Sequence, residues 1–350
     1  MKLHRLAALA LSLQLAGLAG AAPHSGLDLA GIDPAVRPQD DLFRAGNGHW
    51  LSTTEIPADK SSFGMVAQLR DLSDQRVRAL VEGLATAKPG SAEHKVGAYY
   101  ASFMDTAAID KAGLVPVKPL LDGIAALQTR EQLFAWLGRQ AGVVDQPLAL
   151  SVDPDFKQPG INRLVLSQAG LGLPDRDYYL KDDARMAAAR TAYQAYLQAL
   201  ARAAGLADDA AARAFAVEHR LAEAQWPAEE NRDPQKVYNP MTPAELAAKA
   251  SGIDWAALFT AAALPASDLL VVAQPSYATA AAKLLAEAPL EDLRAYLMLR
   301  ALDGSADVLP QAFREARFAF RGTALSGAKS EPPRWQQAVA DLNQALGEAV

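Results

Sequence analysis

Apolar residues recur along most of this chain at the spacing of a helix face. Val77, Leu80, Val81 and Leu84 stand at i, i+3, i+4 and i+7, and Leu290, Leu293 and Leu297 repeat the pattern. Such spacing lays each set along one stripe of a 3.6-residue helix. Helix-start signals accompany it. Thr129 with Gln132, and Thr242 with Glu245, are spaced as capping boxes, which satisfy backbone donors that the first helical turn leaves open. The first predicts a helix over 130–140. The second carries Pro243 at the first helical position, where its missing N–H costs nothing. Ala-rich helices are predicted over 185–204 and 208–225, with Gly205 as the stop between them. One segment departs from this period. Leu148, Leu150 and Val152 alternate with Ala149 and Ser151, and Leu164 and Leu166 alternate again beyond a loop at 154–160. That is the period of a β-hairpin. The predicted fold is mainly α: a multi-helix lobe with one β-hairpin near 147–168.

Composition narrows the setting. The chain has 350 residues, 51% hydrophobic and 21% charged, which is globular and too apolar for disorder. Residues 1–21 read as a signal peptide. Lys2, His4 and Arg5 precede an apolar run from Leu6 to Leu18, and Ala19, Gly20 and Ala21 supply small residues for cleavage. The run is too short to span a bilayer, and no later run is long enough. The expected location is therefore secreted or periplasmic. Cleavage removes two basic residues and no acid, so a net charge of −6 becomes more negative. An acidic chain without basic clusters argues against nucleic acid and anionic membrane as partners. With no cysteine there is no disulfide framework and no thiolate metal site.

Residue chemistry assembles no catalytic centre. None of His4, His24, His49, His94 and His219 has a second histidine four residues away, so no H-E-x-x-H zinc helix is present. His219 and Glu223 offer half a metal site, or an exposed i,i+4 pair. Glu229 and Glu230 are adjacent and read as solvated. No G-x-S-x-G and no phosphate-binding P-loop occurs. Asn47-Gly48-His49-Trp50 reads as a tight turn ahead of an aromatic.

The stretch Gly170-Leu171-Gly172-Leu173-Pro174-Asp175-Arg176-Asp177-Tyr178-Tyr179-Leu180 is too specified for an ordinary loop. It resembles the hairpin exit of the neprilysin and endothelin-converting-enzyme family of zinc endopeptidases. Other blocks resemble the family in the same order: Asp41-Leu42-Phe43 through Asn47-Gly48-His49-Trp50, Ile56-Pro57, Phe63-Gly64 with Leu69-Arg70-Asp71, Asn231-Arg232-Asp233-Pro234, Tyr238-Asn239-Pro240-Met241-Thr242, Asp254-Trp255 and Pro333-Arg334-Trp335. Together they run collinearly over about residues 33–350. Two departures matter. Animal members carry a cysteine where this chain has Asp40 and Asp41. Family members are also about twice as long, with the H-E-x-x-H helix, the third ligand and the substrate-strand motif in the later half, whereas this sequence ends at Val350 within a helical pattern.

The resemblance implies the lid-side part of a two-lobed gluzincin-type peptidase. The expected division is a signal peptide at 1–21, a lead-in segment at 22–60 and a helical N-terminal peptidase-family domain at 61–350, without the zinc domain. Zinc is implied for the full-length enzyme and none for this chain. No catalytic or metal residue is expected here, and the chain alone is expected to be inactive. Implied partners are short peptides and the missing C-terminal catalytic half. One substrate contact carries over: Arg70, in the Leu69-Arg70-Asp71 block, matches an arginine that binds a peptide's C-terminal carboxylate. The alternative for Arg70 is an ion pair on its own helix, with Asp74 or around Asp71. The alternative for the whole is a non-catalytic secreted helical protein that binds peptides or partners.

Overall fold

The computed structural model describes residues 29–347. The signal-peptide reading at 1–21 falls outside them. The chain divides into two compact units, one ending at Pro57 and one beginning at Ala58.

The first unit contains α1 (Leu42–Thr53), whose N-cap is Asp41, its side chain accepting from the Arg44 N–H. The Asn47–Trp50 block lies inside this helix, so the tight turn expected there is corrected. Gly48 serves close approach instead: a Cβ there would lie 2.7 Å from the Asp33 Cβ. Phe43 and Leu51 are exposed and Trp50 is half-buried.

Among the helices of the second unit are α2 (Met65–Gly83), α3 (Ala92–Met104), α4 (Arg130–Arg139), α5 (Ala184–Ala203), α6 (Ala210–Ala224), α7 (Pro243–Lys249), α8 (Trp255–Ala261), α9 (Pro275–Glu287), α10 (Leu290–Ser305), α11 (Gln311–Arg317) and α12 (Arg334–Leu346). One of the two expected capping boxes closes and the other does not. Thr242 and Glu245 form the full capping box of α7. Thr129 caps α4 through the Gln132 N–H, but the Gln132 side chain accepts from Gln128 rather than from the cap. Gly205, at φ +66°, ends α5 in a Schellman motif: Leu206 N–H donates to the Ala201 carbonyl and Gly205 N–H to that of Arg202. Between α11 and α12 a π-helical segment, Phe318–Leu325, brings Gly322 so close to the Phe318 ring that a Cβ would collide with it.

The hairpin is β1 (Leu148–Pro154) and β2 (Asn162–Gln168), paired antiparallel from Leu148↔Gln168 to Pro154↔Asn162. It belongs to a larger sheet than the sequence foretold. Two short strands, β3 (Pro240–Met241) and β4 (Leu270–Val272), complete the order β1-β2-β4-β3, with β2 and β4 parallel. Strands of two and three residues are too short to display period 2, and β4 is buried along its whole length. The main core is shared by α4 to α10 and the sheet. A smaller second core joins α2 and α3 to α12 through Val81, Val96, Tyr100, Phe103, Val339 and Leu342. Among the described residues no helix is long and apolar enough to cross a membrane.

Candidate functional site

The stretch that follows β2 is a structural hub. Gly170, at φ +87°, accepts the Tyr296 hydroxyl on its carbonyl at 2.8 Å. The backbone N–H groups of Gly172 and Leu173 both donate to the Tyr179 hydroxyl at 3.1 Å. That hydroxyl donates onward to Glu218 at 2.5 Å, and Tyr193 donates to the other Glu218 oxygen at 2.8 Å. Arg176 holds the Ala222 carbonyl near the end of α6. The two closing tyrosines offer their own carbonyls to Arg190 on α5. The ordered glycines, charges and aromatics thus fold the segment onto α5, α6 and α10.

Beneath it lies a buried charge network that sequence reasoning missed. Arg300, on α10, pairs with Asp145, with Asp303 at 3.0 Å and with Glu218 at 4.0 Å. Asp303 also accepts from Arg321 of the π-helical segment at 2.6 Å and from Tyr196 at 2.7 Å. Glu218, Arg300 and Asp303 are all buried. The two carboxyls respond oppositely. Burial pushes Glu218 up, against the pull of Arg300. Burial also works to raise Asp303, but Arg300 and Arg321 outweigh it and hold its carboxyl below the ordinary range. A signal was present: Glu218 occupies a core position of α6, among Ala214, Val217, Leu221 and Ala222.

Above the hub is an open cleft of about 570 Å³, lined by Gly170, Pro174, Asp175 and Arg176 together with Asn231 and Arg232. Two of the motif blocks quoted above therefore meet at one surface. Its floor is a ring of interlocked amides. Gln168 bonds Trp226 in both directions, Gln274 donates to Asn231, and Gln225 donates to the Ala169 carbonyl.

Other blocks turn out to hold the fold. Asp254 caps α8 and Trp255 buries its ring, with its indole N–H on the Ala250 carbonyl. Arg334 lies over the Phe103 ring at 3.8 Å and donates to the Phe103 carbonyl. Tyr238 donates to Asp155 in the hairpin loop at 3.0 Å.

Arg70 stands apart from these. It is exposed on α2, flanked by exposed Met65, Val66, Leu69 and Leu72. It has no hydrogen-bond or ion-pair partner among the described residues. The acids of its helix are engaged elsewhere: Asp71 by Lys60 at 2.9 Å and by Gln336 at 3.1 Å, and Asp74 by Gln336 at 3.5 Å. His219 and Glu223 form the exposed pair at 3.5 Å, and Glu229 is exposed.

What these blocks belong to is decided by comparison with known proteins. The model of peptidase family M13 matches residues 38–350. The chain belongs to peptidase family M13. Endothelin-converting enzyme 1 of Mus musculus is 28% identical to this M13 chain over 341 residues, covering 92% of it and 44% of that protein. The neutral endopeptidase of Lactobacillus helveticus is 27% identical, covering 92% and 51%. Among solved structures, the zinc metalloprotease Zmp1 of Mycobacterium tuberculosis in complex with inhibitor superposes with a TM-score of 0.88 at 33% identity, covering 94% of this chain and 51% of that one. PepO from Lactobacillus rhamnosis superposes at 0.77 with 22% identity, a likeness of fold. The chain spans about half the length of the relatives it matches, as the N-terminal portion of this mainly α peptidase fold. Zinc finds no fit here: among the described residues no group of three or more His, Cys, Asp or Glu side chains is arranged to hold a metal ion.

Proposed function

We propose that this M13 chain is the N-terminal, substrate-restricting part of a secreted zinc metalloendopeptidase that cleaves short peptides, and that Arg70 receives the substrate's C-terminal carboxylate. The zinc and the groups that activate water belong to the catalytic half of the full-length enzyme. The observation that carries the Arg70 assignment is that its side chain has no partner among the described residues. The helix ion pair that would explain it away is not made, because Lys60 and Gln336 engage Asp71 and Gln336 also approaches Asp74. A planar guanidinium left open in this way suits a carboxylate, which it can grip through two parallel bonds. The exposed apolar neighbours on α2 suit the side chains next to that carboxylate.

The chain by itself is expected to be inactive towards short peptides. Cleavage that a chelator abolishes, from the purified chain alone, would overturn this reading. In a full-length active form, Arg70→Ala is expected to lower kcat/KM by roughly ten- to a hundredfold, from a charged hydrogen bond contributing about 1.5–3 kcal/mol. The loss should be confined to peptides with a free carboxylate near the scissile bond. Amidated peptides of the same sequence should lose much less. Lysine at this position should recover only part of the effect. Equal losses for the free acid and the amide would mean that Arg70 acts through helix packing.

A further inference from the structure

The cleft beside the hairpin exit carries polar groups that the fold itself does not use. Two arginines line it. Arg176 is half-buried and spends its Nε on the Ala222 carbonyl at 3.1 Å. Its two terminal nitrogens meet no partner among the described residues. Arg232 is exposed, and its side chain makes no hydrogen bond or ion pair among the described residues. Arginines elsewhere around the same core are held by acids: Arg163 by Asp155, Arg190 by Asp182 and Arg213 by Asp209. The carboxylates of the cleft do not cancel the two that are left. Asp145 is already paired with Arg300. Asp175 accepts the Asp177 N–H on Oδ1 at 2.8 Å and makes no ion pair among the described residues. Two uncommitted guanidiniums therefore stand against one uncommitted carboxylate.

A second observation comes from Gln225, which lines the same cleft and is only 8% exposed. Its Nε2 donates to the Ala169 carbonyl at 2.9 Å. A carbonyl can only accept, so the amide has one orientation. The other end, Oε1, accepts nothing from the described residues. The unpartnered side-chain atoms that are sealed from solvent are Arg130 Nη1, Gln146 Oε1 and Arg300 Nε. Gln225 Oε1 is not one of them, and it opens on the cleft. A buried amide with an open acceptor calls for a donor from a ligand. A simple anion would answer the arginines but would set its own oxygens against Gln225 and Asp175. A peptide answers both, because it carries an N–H close to a carboxylate.

We propose that this cleft binds a short carboxylate-bearing peptide, with Arg176 and Arg232 on the carboxylate and Gln225 Oε1 accepting a neighbouring main-chain N–H. The carboxylate is an Asp or Glu side chain or a free C-terminus, since both present the same planar pair of oxygens to a guanidinium. None of the lining residues comes from α2, so the site is separate from Arg70 and stands whether or not Arg70 receives a substrate.

The test is titration of the whole chain with short labelled peptides, read by anisotropy. One is acetylated and amidated, with glutamates at its centre. One is its glutamine counterpart. One is an acetylated alanine peptide with a free C-terminus. Saturable binding is expected for the glutamate peptide, the free-C-terminus peptide or both, and the one that binds names the source of the carboxylate. The glutamine peptide should bind at least roughly tenfold more weakly. Methylating the backbone nitrogens of the bound peptide should weaken it severalfold. Arg232→Gln should weaken binding severalfold with no change in the urea-unfolding midpoint, because that side chain has no bond in the fold to lose. Arg176→Gln should weaken it as well. No saturation by either carboxylate peptide up to about 1 mM would overturn the proposal. So would unchanged affinity in Arg232→Gln, indifference to backbone methylation, or displacement of the peptide by an equal concentration of inorganic phosphate.

Discussion

Gly172→Ala is expected to destabilise the chain by about 3–5 kcal/mol, far beyond an ordinary glycine substitution. The added Cβ collides with the Tyr193 hydroxyl and its ring carbon, and stands 2.7 Å from an Arg300 nitrogen. Neither neighbour can yield cheaply. Tyr193 is wholly buried and its hydroxyl is committed to Glu218, while Arg300 is locked by its own pairs. Moving the backbone instead would stretch the bonds from the Gly172 N–H to Tyr179 and Glu218. Overpacking and broken buried bonds therefore add. Gly160→Ala is the control, since nothing lies within 4 Å of the Cβ it would gain, and it should shift stability by less than about 0.5 kcal/mol. Urea-unfolding midpoints measure both. A mild effect at Gly172 would mean that the hub adapts rather than holds.

Arg300→Leu should cost a comparable amount, about 3–5 kcal/mol, because it strands carboxylates that are already out of water. Asp145 is half exposed and can rehydrate, and Asp303 keeps Arg321. Among the described residues Glu218 has no other cation within reach of its oxygens, and it becomes the main casualty. The pH dependence follows in sign. Glu218 already has a raised folded-state pKa. Losing Arg300 raises it further, and a raised carboxyl gives stability at low pH that is lost as pH rises through the folded value. Asp303 in the native chain is depressed, so its contribution holds down to the ordinary Asp value of about 3.9 and fades only below it. Above that pH the change comes from Glu218. The gap between native chain and variant should narrow as pH is lowered from 7 towards about 4. A gap that stays constant or widens over that range would show that Arg300 acts through packing and not through its charge.

Much of the fold was written in local patterns. Thr242, Glu245 and Pro243 announce α7, Gly205 ends α5, and the alternation from Leu148 to Val152 marks β1. These signals are legible because a cap or a pleat is satisfied by residues a few positions apart. The four-residue span of a capping box can be read directly, but the partners of Glu218 lie 25, 39 and 46 residues away. Nothing in an Ala-rich helix distinguishes a buried glutamate from a solvated one except its phase, and phase alone is easily overlooked. Gly48 shows the reverse case: glycine after asparagine has the local signature of a turn, but here it is required inside a helix by the close approach of Asp33. The candidate site was legible unevenly. Arg70 drew attention only through its likeness to a family motif, since a lone exposed arginine has no intrinsic signature. The cleft needed the fold, which brings Arg176 and Arg232 to one surface although neither stretch encodes the other.

The small core of α2, α3 and α12 has a consequence for how the chain is made. The Tyr99–Asp341 bond that ties it spans 242 residues. At about 5–20 residues per second, a ribosome needs roughly 12–50 s to travel that distance. Through that interval Val81, Val96, Tyr100 and Phe103 are synthesised and waiting, with no Val339 or Leu342 to cover them. The nascent chain thus carries an uncovered aromatic and aliphatic face until α12 has been made.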